Sequence, residues 1–233
     1  MVKNILLILE IWIIGMVCNY VEKNTYIMET ELKELIEKTD FEKLFNKLGY
    51  AFFTNGDYNL NIIGVRNLLD DSIQRDKFND ALVLIFKEDG KWVKKIWDIT
   101  TDPSLKLLKA PSNSAGTAIL VPDQYRSTYK VDKHKGQYTA LCQRLNTVKV
   151  YRDKNRDNKL DMDPKTIQTG MFGINIHRAS AYNISENIGA YSAGCQVFKS
   201  YKDFNEFMEY VNKSKDMYGN SFTYTLITTK QFE

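Results

Sequence analysis

The sequence predicts a mainly β (α+β) fold with a helical elaboration at its N-terminal side and one helix near its end. Apolar residues recur at strand spacing through most of the chain, while two stretches, 28–48 and 201–216, carry helical spacing. Leu32, Leu35, Ile36, Phe41, Leu44, Phe45 and Leu48 recur mostly every three or four positions, so 28–48 reads as one helix or two broken near Thr39-Asp40, with Gly49 as the stop. Residues 50–53, 60–66, 81–87 and 92–99 read as strands, the last two joined by the hairpin turn Glu88-Asp89-Gly90-Lys91. Pro103 and the stretch from Pro111 to Gly116 mark a long polar connection, after which 117–121, 147–151, 172–177, 196–198 and 221–228 read as further strands. In the late helix Phe204, Phe207, Met208 and Val211 share one face. With no internal repeat and no long low-complexity linker, residues 28–233 are expected to form a single domain, its helical region at 28–48.

Composition narrows the function classes. A net charge of +3 with lysines and acids interleaved argues against a nucleic-acid partner. Cys18, Cys142 and Cys195 form no CxxC pair, and with two histidines there is no recognisable zinc site. A disulfide framework is not expected; a single Cys142 to Cys195 bridge stays open at this stage. The first 20 residues, basic at Lys3 and apolar from Ile5 to Cys18, read as an export signal or membrane anchor interrupted by Glu10. That reading places the protein in the cell envelope or outside the cell, with membrane association through residues 1–20. The alternative is a start at Met28 and a cytoplasmic or phage-encoded protein.

Chemistry concentrates in Gly173 to Phe198, GINIHRASAYNISENIGAYSAGCQVF, which holds one of the two histidines and one of the three cysteines. A cysteine is a strong nucleophile only when ionised, and a nearby imidazole takes its proton and returns it to a leaving amine. Cys195 and His177 are therefore the candidate nucleophile and base, delivered by strand-like runs at 172–176 and, more loosely, 188–191. Gly194 lets the chain turn tightly beside the thiol, as an oxyanion site requires. The competing reading is a small buried thiol and a satisfied polar ring.

This segment resembles the catalytic motif of the L,D-transpeptidases (YkuD-type domains), in which an Ile-His-Gly or Ile-His-Ser segment precedes a Ser/Thr-His-Gly-Cys segment at similar spacing. The likeness spans roughly a quarter of the chain, about 147–199. It implies a transpeptidase-like β-sandwich or barrel, with Cys195 as nucleophile, His177 as base, Gly194 as the motif glycine and Ser192 as the motif serine. Arg178 stands where the family has a small residue whose backbone carbonyl orients the imidazole. Two positions depart from the motif: Ala193 replaces its second histidine, and Val197 stands where an arginine or asparagine is usual. Arg178, Ser192 and Tyr191 are then the expected substrate contacts, with Arg178 supplying the missing positive charge. The implied reaction is acyl transfer on a peptidoglycan stem peptide, to an amine for cross-linking or to water in a lysin-like peptidase, with no cofactor required. A wall-binding module without catalysis is the alternative class. A thiol and imidazole within hydrogen-bond reach in an open cleft separate the two.

A second motif precedes the first. Asp153, Asn155, Asp157 and Asp161, with Asn158 at the turn and Leu160 pointing inward, imitate the first nine positions of an EF-hand loop, although Pro164 holds the place of the bidentate Glu. The loop is a candidate structural Ca2+ site, against a solvated turn stabilised by its own Asp and Asn side chains. Gln124-Tyr125-Arg126 and His134-Lys135-Gly136-Gln137-Tyr138 read as peptide- or sugar-gripping groups or as ordinary strand ends, with His134 the rival base. Asp98 and Asp102 are candidates for an acid pair. Trp12, Trp92 and Trp97 read as membrane-facing or core residues.

Overall fold

The computed structural model describes residues 30–68 and 76–232, so the expected signal or anchor at 1–20, with Trp12, lies outside the described residues. None of the described helices is long and apolar enough to cross a membrane. The chain divides into two compact units, Met1–Lys38 and Thr39–Glu233. In the first, residues 30–38 form a helix, α1.

The second unit begins with the expected break. Asp40 caps helix α2 (Phe41–Leu48) by accepting the Lys43 N–H, and Gly49 closes it at φ 72°, in the left-handed region that favours glycine. Phe41 and Phe45 turn inward, edge-on to Phe232 and to Tyr50 and Phe52 respectively. Residues 50–53, expected as a strand, join no ladder. Their backbone is satisfied by side chains instead: Gln124 bonds both main-chain groups of Ala51, and Asn61 both of Phe53.

Strands then follow as β1 (Asn61–Arg66), β2 (Asp80–Glu88), β3 (Lys91–Thr100), β4 (Thr117–Leu120), β5 (Asp123–His134), β6 (Tyr138–Gln143), β7 (Val148–Asp153), β8 (Gln168–Gly170), β9 (Ile176–Arg178), β10 (Gln196–Phe198) and β11 (Phe222–Thr228). Eight of them close a barrel in the order β1, β11, β5, β6, β9, β10, β3, β2, while β4, β7 and β8 make a separate three-stranded sheet. Two barrel pairings, β1 with β11 and β9 with β10, are parallel. The β2–β3 hairpin turns at Asp89 and Gly90, both at positive φ, as the sequence led one to expect. The mainly β architecture and the late helix are thus observed. Helix α4 (Tyr201–Tyr218), capped by Ser200, packs Phe204, Phe207, Met208 and Val211 into the same core as Leu82, Ile99, Ile176 and Phe198.

Two expectations are corrected. The connection after Pro103 contains a short helix, α3 (Leu105–Lys109), started by Ser104, whose side chain accepts from Leu107 N–H. The run at 172–177 is strand only from Ile176, because Gln143 Oε1 takes the amides of Phe172 and Ile174. The hairpin of β5 and β6 was not anticipated. Its alternation is broken where Ser127 takes φ 49° and the pairing with β11 shifts register, so the period-two signal disappears.

Candidate active site

The site is made by the parallel pair β9 and β10, where Gln196 stands beside Ile176 and Val197 beside His177. Successive side chains of a strand point to opposite faces. Ile174, Ile176 and Phe198 enter the barrel core, so Asn175, His177 and Cys195 face the other way, into a cleft of about 670 Å³. The strand that carries Cys195 follows it rather than precedes it; residues 188–191 form no strand. Eighteen positions of sequence are closed by one register.

The turn before the thiol is fixed from behind. Gly194 sits at φ 116°, and a Cβ there would lie 2.3 Å from the Ala118 carbonyl oxygen. Ser192 Oγ is 2.8 Å from the carbonyl oxygens of both Asp102 and Cys195 and accepts the Gly194 N–H at 3.2 Å. From inside the barrel, Gln196 Nε2 donates to the Gly194 carbonyl at 3.2 Å, and Tyr224 donates its phenol proton to Gln196 Oε1 at 2.7 Å. Gly64 is the space Tyr224 needs, since a Cβ on it would meet the phenol oxygen at 1.8 Å. Gly194→Ala should therefore cost roughly 1–3 kcal/mol from backbone strain, with the clash added, and should slow thiol labelling of Cys195. Urea unfolding and labelling rates check it; a stable, normally reactive variant would show that the turn tolerates a side chain.

His177 is held on both sides. Its Nδ1 lies 2.9 Å from the Arg178 carbonyl and 3.3 Å from the Tyr138 hydroxyl, which itself donates to the same carbonyl at 3.2 Å. A carbonyl only accepts, so Nδ1 carries the proton and Nε2 is left as the basic atom. The His134 ring stacks on it, centroids 4.1 Å apart and 26° between planes, with Nδ1 of His134 taking Asn175 Nδ2 at 3.0 Å. Burial, and then the neighbouring His134 charge, lower the His177 pKa to about 3; burial, and then Lys135, lower that of His134 to about 4. Both rings are thus neutral in the fold.

The sign of the linkage follows. The unfolded chain takes up protons near the usual value of 6.5, the folded chain only near 3–4, so stability present above pH 6.5 is lost as pH falls towards 4. His177→Gln should reduce the difference in unfolding free energy between pH 7.5 and pH 5; an unchanged difference would mean that the ring is not buried neutral.

The thiol's own hydrogen bonds go to the main chain. Cys195 Sγ accepts Asn175 N–H at 3.4 Å and donates to the Gly173 carbonyl at 3.5 Å, rather than to His177. Burial pushes its pKa up, opposed by the Asn175 amide and by Lys135. Cys195 and Cys142 are both free, which removes the bridge between them. Cys142 is wholly buried, and burial raises its pKa to about 11.

The other expected site residues are distributed differently. Tyr191 is 42% exposed and lines the cleft. Ser192, expected at the substrate, is fully buried and braces the turn instead. The Arg178 guanidinium lies 4.1 Å over the Tyr138 ring and is not among the cleft-lining groups; its carbonyl holds His177, as the motif implied. Positive charge at the cleft comes from Lys135, Arg144 and Arg152, and its lining contains no carboxylate. Asn175 was not singled out by the sequence, whereas the aromatic-cationic run at 134–138 pointed to Lys135 and to His134, there the rival base.

Asp102 meets the fully buried Arg66, Nε to Oδ1 2.8 Å, with Asp80 beside it. Trp97 is in the core, whereas Trp92 is half exposed under Lys87. Asp153, Asn155, Asp157 and Asp161 do come together in one loop, although no group of three or more His, Cys, Asp or Glu side chains is poised for a metal among the described residues. Compared with protein-family models, curated proteins and solved structures, the chain gives no match in any of the three.

Proposed function

We propose that the protein is a cysteine acyltransferase of the L,D-transpeptidase kind, acting on peptidoglycan stem peptides. The supporting observation is that Cys195 and His177 share one face of adjacent parallel strands and open into the same cleft. Lys135 and Arg152 around that cleft, with Arg144 paired to Asp132 at 3.0 Å and no acid among the lining itself, suit a peptide carrying free carboxylates.

In this mechanism the thiol turns from the Gly173 carbonyl to Nε2 of His177. Each charge of the resulting thiolate and imidazolium then offsets the desolvation that holds both groups neutral at rest. The sulfur attacks the stem-peptide carbonyl, forming the C–S bond. Because Gly194 N–H is committed to Ser192, the Cys195 N–H is the donor that this turn offers the oxyanion. The imidazolium protonates the departing amine as the C–N bond breaks, and the thioester passes to an amine or to water. No cofactor enters these steps.

The test is incubation with purified peptidoglycan and mass analysis of the stem peptides. New cross-links or shortened stems identify the acceptor as amine or water; stems unchanged by active-fold protein would overturn the proposal. The thiol's bond to Gly173 favours the second reading, a wall-binding module, which predicts sedimentation with peptidoglycan and no change in its stems.

A further inference from the structure

The loop that follows β7 holds three acids, Asp153, Asp157 and Asp161, with which its own bases, Lys154, Arg156 and Lys159, form no ion pair among the described residues. Asp153 ends β7 and is 1% exposed. Its Oδ2 accepts the Asp161 N–H at 3.0 Å, while Oδ1 is buried with no hydrogen-bond partner. Asp157 and Asp161 lie in the same loop, their Oδ2 atoms both reached by the one Asn155 amide, so three acids crowd one loop. Among the described residues no Lys or Arg ion-pairs with any of the three. The Asn155 amide nitrogen sits where a cation would, 3.1 Å from Asp157 Oδ2 and 2.6 Å from Asp161 Oδ2.

We propose that residues 153–161 bind one calcium ion, through the carboxylates of Asp153, Asp157 and Asp161, the side-chain oxygen of Asn155 and the main-chain carbonyl of Lys159. Asn155 Oδ1 accepts the Asp157 N–H at 3.1 Å, so turning the amide over gives up that bond and brings the oxygen to the carboxylates, where a cation replaces the amide protons. The buried Asp153 oxygen gains the partner it lacks. Oxygen donors on a loop with alternating acidic and amide positions suit Ca2+, which accepts flexible geometry, better than Mg2+, which demands a tight octahedron. Pro164 stands where a bidentate Glu would complete the shell, and Asp163 is spent capping the following turn through the Lys165 N–H. The affinity expected is that of weak extracellular modules, roughly 10⁻⁴–10⁻³ M.

The site would brace the cleft. Thr117 pairs with Asp153, and a Cβ on Gly116 would meet the Asp153 carbonyl oxygen at 2.4 Å, so the first ligand is packed directly behind two cleft-lining residues. Arg152, next in the chain, lies 4.6 Å over the Phe172 ring in the same wall. The inference does not rest on the proposed activity.

Titration of the full chain with CaCl2, by calorimetry and by thermal unfolding with MgCl2 as control, tests it. One binding event is expected, with a rise in Tm that Mg2+ at equal concentration does not reproduce. Asp157 and Asp161 lie on the exposed side of the loop, so Asp157→Asn and Asp161→Asn should fold and weaken Ca2+ binding by at least about tenfold each, as expected when ligand charge is removed. No Ca2+-dependent heat or Tm change, an equal response to Mg2+, or unaltered binding in the double variant would each overturn the site.

Discussion

Cys195→Ala is expected to abolish stem-peptide chemistry while leaving the barrel folded. Removing a nucleophile from a site whose parts act as a unit typically lowers turnover by three to six orders of magnitude, on the order of 10³–10⁶. The fold should tolerate the change because the sulfur packs against only a small satellite cluster of Phe78, Ala179, Ile188 and Val197. Loss of so few contacts costs about 1 kcal/mol. Cys142→Ala is the control, since that thiol lies in the barrel core, donates to the Asp132 carbonyl at 3.7 Å and cannot reach substrate. A carbapenem-like acylator should add its mass at Cys195 and none at Cys142. Full activity of the Cys195→Ala protein on peptidoglycan would end the nucleophile assignment, and acylation at Cys142 would show that the cleft is not where the chemistry occurs.

Arg66→Met should be the most damaging substitution for stability. Arg66 ends β1 with no solvent exposure, donating Nε to Thr101 Oγ1, Nη1 to the Leu120 carbonyl and Nη2 to the Thr101 carbonyl, with the Asp102 carboxylate 2.8 Å from Nε. Asp80, alongside, accepts the amides of Asn67 and Thr101, yet burial and the Asp102 charge raise its pKa to about 7. Taking away the guanidinium leaves buried acid without its counter-charge, a loss of about 3–5 kcal/mol. Lysine should not rescue it, because the three fixed donor directions are those of the planar fork. Replacing both partners, Arg66→Met with Asp102→Leu, should recover a large part of the loss, as buried pairs exchanged for apolar groups often do. Urea unfolding at pH 7.5 measures each value; a loss below about 1 kcal/mol for Arg66→Met would show that the pair is solvated. The same variants should slow Cys195 labelling, since the Asp102 carbonyl is one of the two that hold Ser192.

Legibility followed the range of the interactions. Helix α4 could be read because Phe204, Phe207, Met208 and Val211 lie within one segment and act through local periodicity. The β2–β3 hairpin could be read because Asp89-Gly90 itself supplies the positive φ the turn needs. The β5–β6 hairpin could not, since the bulge at Ser127 destroys the alternation and charged residues occupy its exposed face. Residues 50–53 misled because their strand-like composition is satisfied by Gln124 and Asn61, whose positions are decided far away in sequence.

The sequence by itself determined the mainly β class, the helix break near Asp40 and the stop at Gly49, the late helix from Tyr201, the chemical types available at His177, Gly194 and Cys195, and the acidic spacing at 153–161. These depend on side-chain chemistry, backbone preference and short-range repeats, which one chain displays without folding. Tertiary structure alone decided that β9 and β10 run parallel, so that His177 and Cys195 share a face. It also decided that His134 stacks on the base, that Ser192 props the turn from inside, and that Arg66 is buried against Asp102. Each of these is a pairing across many residues, fixed by barrel closure and by the need to satisfy polar groups once water has been excluded.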